Sequence, residues 1–103
     1  VLNWIKTEYG NPPVFVTENG CKDLSVFNDK DRVEYHHNYM EELLKAIYND
    51  GCNIIGYTAW SLMDNFEWSF GYTSKYGLWY VDFNNTERPR TRKLSAYFFK
   101  ELA

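Results

Sequence analysis

The chain has no concentrated positive charge: 11 Lys and Arg stand against 14 Asp and Glu, the formal net charge is −3, and no basic block is present. A protein gains nucleic-acid affinity when clustered Lys and Arg release counterions from phosphates, so DNA and RNA are excluded as partners. Long hydrophobic runs are missing too. Uninterrupted apolar stretches are a few residues long, far short of the roughly 20 that cross a bilayer, and the opening VLNWIKTEYG has no signal-peptide layout. No membrane span is expected. Histidine is limited to His36 and His37. Adjacent on a helix they diverge by roughly 100°, whereas a shared metal wants a spacing of three or four, so a solvated helix surface and no metal or cofactor are expected. Internal repeats and low-complexity segments are also absent. Aromatic residues, by contrast, are in excess, at 19% with 4 Trp, 9 Tyr and 7 Phe among 103 residues. So many rings in a chain of one small domain's length point either to a share of a bigger core or to a stacking surface for a flat ligand such as a sugar.

Leu2, Ile5 and Tyr9 fall on one helical face, and Gly10 with Asn11-Pro12-Pro13 supplies the stop. That helix has no capping residue ahead of it, which raises the expectation that further residues precede Val1. The run Val14-Phe15-Val16-Thr17 is apolar and β-branched, as a strand buried on both faces would be, and it ends in Glu18-Asn19-Gly20. Cys21 to Phe27 read as a loop. Asn28 or Asp29 can cap a helix on which Val33, Met40, Leu43, Leu44 and Ile47 recur at helical spacing until Asn49-Asp50-Gly51. A second buried strand follows in Ile54 to Trp60 and runs straight into Ser61 to Trp68, again polar and aromatic at its C-terminal end. A short strand or hairpin is expected over Gly77 to Phe83, a turn over Asn84 to Pro89, and an amphipathic helix through Leu94, Tyr97, Phe98 and Leu102.

Strands alternating with helices imply an α/β fold with a parallel sheet, whose function gathers at the C-terminal strand ends. Two strands cannot close a sheet, and a (β/α)8 barrel needs roughly 250 residues. Residues 1–103 are therefore expected to be the C-terminal portion of a single larger barrel domain, its last two strands with their helices, and not a complete domain. On this reading Cys21 follows the C-terminal end of one strand and Cys52 precedes the N-terminal end of the next. A five-residue strand separates such rims by about 17 Å, against less than about 7 Å between Cα atoms joined by a disulfide, so the two are not expected to pair with each other. Glu18 and Glu67 stand beyond the two consecutive strands and can face one pocket. Two carboxylates with aromatic neighbours suggest glycoside hydrolysis, in which an acid and a nucleophile flank the scissile bond; isolated acidic residues at strand ends also serve as loop solvators or helix caps.

The strings Val14-Phe15-Val16-Thr17-Glu18-Asn19-Gly20 and Gly56-Tyr57-Thr58-Ala59-Trp60-Ser61-Leu62-Met63-Asp64-Asn65-Phe66-Glu67-Trp68, in this order and spacing, resemble the C-terminal part of glycoside hydrolase family 1, the β-glucosidase family, in its insect-type β-glucosidase and myrosinase-like branch. The resemblance runs through all 103 residues, taking in Asn28-Asp29 to Arg32-Val33 and Gly77-Leu78 to Val81-Asp82-Phe83. It implies a (β/α)8 barrel and retaining hydrolysis of a β-glucoside or related β-glycoside through a covalent glycosyl-enzyme intermediate. By position it makes Glu18 the catalytic nucleophile. Such a carboxylate must stay ionised and be rigidly held, and the end of a buried strand supplies the rigidity while neighbouring polar donors favour the charged form. The resemblance implies that Glu67 accepts hydrogen bonds from sugar hydroxyls, that Trp68 donates its indole N–H to the sugar, and that Trp60 stacks under the apolar face of the ring.

Tyr76 departs from the many relatives that carry Phe there; it either turns a hydroxyl toward the pocket or simply packs its ring. Relatives that hydrolyse 6-phospho-β-glycosides carry Ser, Lys and Tyr at the positions of Glu67, Ser74 and Tyr76. Only the Tyr matches, and Glu67 would repel a phosphate, so a phosphorylated substrate is disfavoured. In this family the general acid/base sits in an Asn-Glu-Pro motif on an earlier strand, and no such tripeptide occurs here. Retaining hydrolysis needs that second carboxyl about 5–5.5 Å from the nucleophile, so the remainder of the barrel is expected to be required and these residues alone to be inactive. A thioglucosidase (myrosinase), in which Gln replaces the acid, and a receptor-like or otherwise non-hydrolytic glycan-binding relative are the alternatives. Asn84-Asn85-Thr86 is an N-glycosylation sequon in an expected turn. It inclines the localisation toward secretion, with a cytoplasmic location as the alternative.

Overall fold

The computed structural model describes residues 1–103 as helices α1 (Leu2–Tyr9), α2 (Lys30–Tyr48) and α3 (Leu94–Leu102) and strands β1 (Val14–Asn19), β2 (Ile54–Ala59), β3 (Trp79–Val81) and β4 (Arg90–Arg92), with a 3-10 turn at Trp68–Phe70. β1 and β2 are parallel neighbours connected through α2, and β3 pairs antiparallel with β4. α1 stops where Gly10 adopts φ 71 and returns its N–H to the Lys6 carbonyl, the left-handed ending that glycine adopts without a Cβ penalty. Asn49 closes α2 with an N–H bonded to the Lys45 carbonyl.

Two helix starts take their caps from outside their own helix. Asp29 occupies the N-cap position of α2 but makes no capping bond to that helix. Its carboxylate accepts instead from the main-chain N–H of Ser95 at 2.9 Å and the Ser95 hydroxyl at 2.5 Å, both in the first turn of α3. α2 receives its cap from the loop, where the Asp23 carboxylate accepts from the Arg32 N–H at 3.3 Å. One orphan N–H at each helix start is thereby satisfied across tertiary distance, and the N-termini of α2 and α3 are fixed to each other. The cap expected from Asn28 or Asp29 thus belongs to Asp23, because Asp29 is drawn off by Ser95 and Arg32.

Only 15 of the 103 residues are buried, and the apolar ones among them are Ala46, Cys52, Leu78 and Val81. The remaining buried side chains are polar or charged, with Asp29, Arg32, His36 and Ser95 fully enclosed. The Cα radius of gyration is 15.9 Å, against about 13 Å for a compact domain of this length. β1 and β2 were expected to be buried on both faces; instead Val14 and Val16 are half-buried while Phe15 is 51% and Ile55 62% exposed. A two-stranded sheet covered on one side by α2 has no second layer within these residues. His36 is the other correction. It is enclosed, not solvated, packing edge-on against the Phe99 ring with centroids 5.0 Å apart, whereas His37 is exposed.

Candidate active site

β1 and β2 do not keep step. Between Val16 and Asn19 the register advances three residues on β1 against two on β2, since Val16 pairs with Tyr57 and Asn19 with Ala59. An extra residue of this kind re-aims the side chains that follow it. Strict alternation from Val14 and Val16 would send Glu18 to the face covered by α2. With the extra residue, Asn19 takes that place, accepting from Tyr35 Oη at 2.6 Å and donating from Nδ2 to Tyr57 Oη at 3.0 Å. Glu18 is exposed and takes no hydrogen bond from any side chain of the chain. The donors expected to surround it are therefore not among these residues.

Asn19 also reaches the second strand through its main chain, its carbonyl accepting the Trp60 N–H at 2.7 Å. Gly20 makes this closeness possible: a Cβ there would lie 1.9 Å from the Trp60 carbonyl oxygen, a contact that forces one backbone aside. The loop after β2 then turns back on itself. Glu67 is buried, its carboxylate accepting from the Trp60 indole N–H at 3.2 Å, and its main-chain N–H bonds the Gly71 carbonyl at 2.7 Å. Trp68 projects, 84% exposed, from a backbone at φ 47, where a bulky residue is an outlier. Tyr76 is half-buried, and its carbonyl accepts the Ser61 N–H at 3.0 Å. Trp60 and Glu67 are thus brought into contact and tied to the end of β1, while Trp68 and Tyr76 lie on the rim of the same loop. The Lys75 ammonium rests over the rings of Tyr80 and Phe83, 5.4 and 5.3 Å from their centroids.

A buried ionic frame supports this loop. Asp64 Oδ1 accepts from Lys93 Nζ at 2.8 Å and from the Gly77 N–H at 3.0 Å. Arg32 spends its guanidinium on Asp29 at 2.5 Å and on the carbonyls of Cys21, Lys75 and Gly77. Asn65 donates to Ser61 Oγ and the Met63 carbonyl. Burial pushes Lys93 below the ordinary lysine range, opposed by its bond to Asp64. The sequence offers Asp29 only as a helix cap and gives no sign of these ion pairs. Asp64 and Asn65 lie inside the second motif string, and His36 falls three residues after Val33 and four before Met40, on the helix stripe that packs. Burial holds the His36 pKa down at about 4, Arg32 adding to the effect, while burial and Tyr39 push Tyr35 up to about 12. Cys21 and Cys52 are free, as expected, and burial raises the Cys21 thiol. No cluster of three or more His, Cys, Asp or Glu side chains is placed to hold a metal. The largest groove, about 480 Å³, runs between α1 and α2 past Val16 and Glu18 and does not include Trp60, Glu67, Trp68 or Tyr76.

Comparison with known proteins matches the whole chain to one family. The model of glycosyl hydrolase family 1 covers residues 1–103. Lactase/phlorizin hydrolase of Homo sapiens is 56% identical over 104 residues, which span 99% of this chain and 5% of that protein. The structure of an aphid myrosinase superimposes with a TM-score of 0.96 at 48% identity, over 98% of this chain and 22% of that one. A β-glucosidase of the fungus Humicola insolens in complex with glucose gives 0.91 at 43%, over 98% and 23%. The chain thus spans about a fifth of these solved structures. With its full length matched at such identity, the chain belongs to glycosyl hydrolase family 1 and is the C-terminal portion of a (β/α)8 barrel.

Proposed function

We propose that this chain carries the nucleophile half of a retaining β-glycosidase, with Glu18 attacking the anomeric carbon of a β-glucoside. The reading rests on one observation above others: Trp60 joins the two carboxylate-bearing segments, its main-chain N–H to Asn19 beside Glu18 and its indole N–H to Glu67. Attack by the Glu18 carboxylate forms a glycosyl ester as the bond to the leaving oxygen breaks; water then cleaves the ester with retention. Glu67 has one oxygen engaged by Trp60 and keeps the other for sugar hydroxyls. Trp60 offers a ring face and Trp68 an exposed indole, while Tyr76 stands half-buried in the same loop. The general acid/base comes from outside residues 1–103, so these residues alone are inactive. The complex of the Humicola insolens relative with glucose supports a glucoside as substrate.

Likeness to the aphid myrosinase supports a second reading, a thioglucosidase acting through the same nucleophile. The exposed Asn84, in the turn after β3, supports secretion; peptide mass spectrometry for an N-linked glycan on Asn84 checks it. The central test treats the parent polypeptide with a 2-deoxy-2-fluoro β-glucoside bearing a good leaving group. A glycosyl mass on the Glu18 peptide is expected, and Glu18→Gln is expected to abolish it and to lower turnover by roughly 10^4-fold or more. Binding without any label in the intact parent would move the assignment to a non-hydrolytic glycan-binding protein.

A further inference from the structure

We propose that Tyr57 and His36 are positioning residues for the Glu18 carboxylate, acting through Asn19 at the register break of β1; the inference rests on the reading of Glu18 as nucleophile. The extra residue at Thr17–Glu18 leaves the strand without ladder pairing just where the carboxylate must be fixed. What replaces the ladder is a chain of side-chain hydrogen bonds with one direction. Tyr35 Oη donates to Asn19 Oδ1 at 2.6 Å, and Asn19 Nδ2 donates to Tyr57 Oη at 3.0 Å. Tyr57 Oη in turn lies 2.8 Å from His36 Nδ1, to which it donates when the imidazole proton sits on Nε2.

His36 suits the end of such a chain. It is fully enclosed, its Nε2 meets no partner, and Phe99 and Tyr57 stand edge-on to its ring at 5.0 and 6.1 Å. Burial keeps that imidazole neutral, and because the Tyr57 oxygen already accepts from Asn19, the tautomer with the proton on Nε2 lets Nδ1 take the Tyr57 hydroxyl proton. Removing the Tyr57 hydroxyl leaves Asn19 Nδ2 unbonded. The amide is then held only through its Oδ1 bond from Tyr35 and can pivot, carrying with it the peptide of Glu18. Trp60 would move less, because it is held by the Asn19 carbonyl and by Glu67. The network therefore acts on the reacting carboxylate more than on sugar binding.

Tyr57→Phe, His36→Leu and His36→Asn, made in the parent polypeptide, separate the two effects. With saturating 2-deoxy-2-fluoro β-glucoside, the first-order rate of labelling at Glu18 is expected to fall about tenfold to a hundredfold in Tyr57→Phe and His36→Leu, the scale of a small misplacement of a reacting group. Glucose affinity, read by calorimetry, is expected to stay within about twofold of the unaltered protein in each. Asn at position 36 places an acceptor near the lost Nδ1 and is expected to restore most of the rate. Tyr57→Phe deletes one oxygen and keeps the ring beside His36, so it reports even where His36→Leu does not fold. Unaltered labelling in both Tyr57→Phe and His36→Leu overturns the inference. So does a parallel loss of labelling and glucose affinity, or a His36→Asn variant as slow as His36→Leu. Absence of label on Glu18 in the unaltered parent would instead remove the nucleophile reading, and the positioning role with it.

Discussion

Around Asp29 and Asp64 this chain buries ions; along β1 and β2 it exposes hydrocarbon. The two regions invert the usual order, in which apolar groups go inside and charges stay out unless paired. Arg32, Lys93 and Asp29 are almost completely enclosed, each with a charged partner, while Phe15 and Ile55 stand more than half exposed on a sheet with open edges. The ionic region is complete within these residues and fixes the loop that carries Trp60 and Glu67. The sheet is not complete, and its bare side is where further strands and side chains of a barrel would pack. The candidate site is thus held from behind by polar bonds internal to the chain, on the proposed reading against a surface that further strands would complete.

The largest effect is expected from breaking the frame. Arg32→Met strands the Asp29 carboxylate without its cation and is expected to destabilise the parent by about 3–5 kcal/mol in urea unfolding; a loss under about 1 kcal/mol would mean that Ser95 alone suffices. Phe15→Ala tests the other region. If the bare face is covered in the parent, the cost there is about 3 kcal/mol, whereas a face left in water gives a change near zero. The isolated 103-residue chain should in addition self-associate through its open strand edges, seen by sedimentation velocity. The pH dependence comes next. His36 has its pKa lowered from 6.5 to about 4 by burial, so the stability gained by keeping it neutral is full above pH 6.5 and is lost as pH falls toward 4. Comparing unfolding at pH 7 and 4.5, His36→Asn should remove part of the acid sensitivity, about 3 kcal/mol at most. The smallest effect belongs to Lys45, whose pairs with Glu41 and Glu42 are exposed; Lys45→Ala should leave the unfolding midpoint unchanged.

The elements were legible in the sequence because their signals are local. Gly10 and Pro12-Pro13 end α1, the Val33 to Ile47 stripe marks α2, and the apolar runs mark β1 and β2. Glu18, Glu67 and Trp60 were legible from the motif strings and their spacing. What escaped notice joins residues far apart. Asp29 and Ser95 are 66 positions apart, and Asp64 meets Lys93 across 29; no periodicity connects such partners. His36 reads as a surface residue beside His37, and only its place on the packed stripe between Val33 and Met40 accounts for its burial. The half-bare strands were misread for a different reason: composition reports what a strand is suited to pack against, not whether these residues supply it.

The register break in β1 has the character of a phase slip. Up to Val16 the strand counts its sides in one phase, and from Asn19 it counts them in the other. Glu18 sits in the slip itself, which is why an amide and not a carboxylate lies beneath α2. A strand of perfect alternation with the same six residues would present Asn19 outward and hide the acid under the helix. The spare residue is therefore what lets an apolar, helix-backed strand end in an accessible charge and still pair with β2 through Asn19.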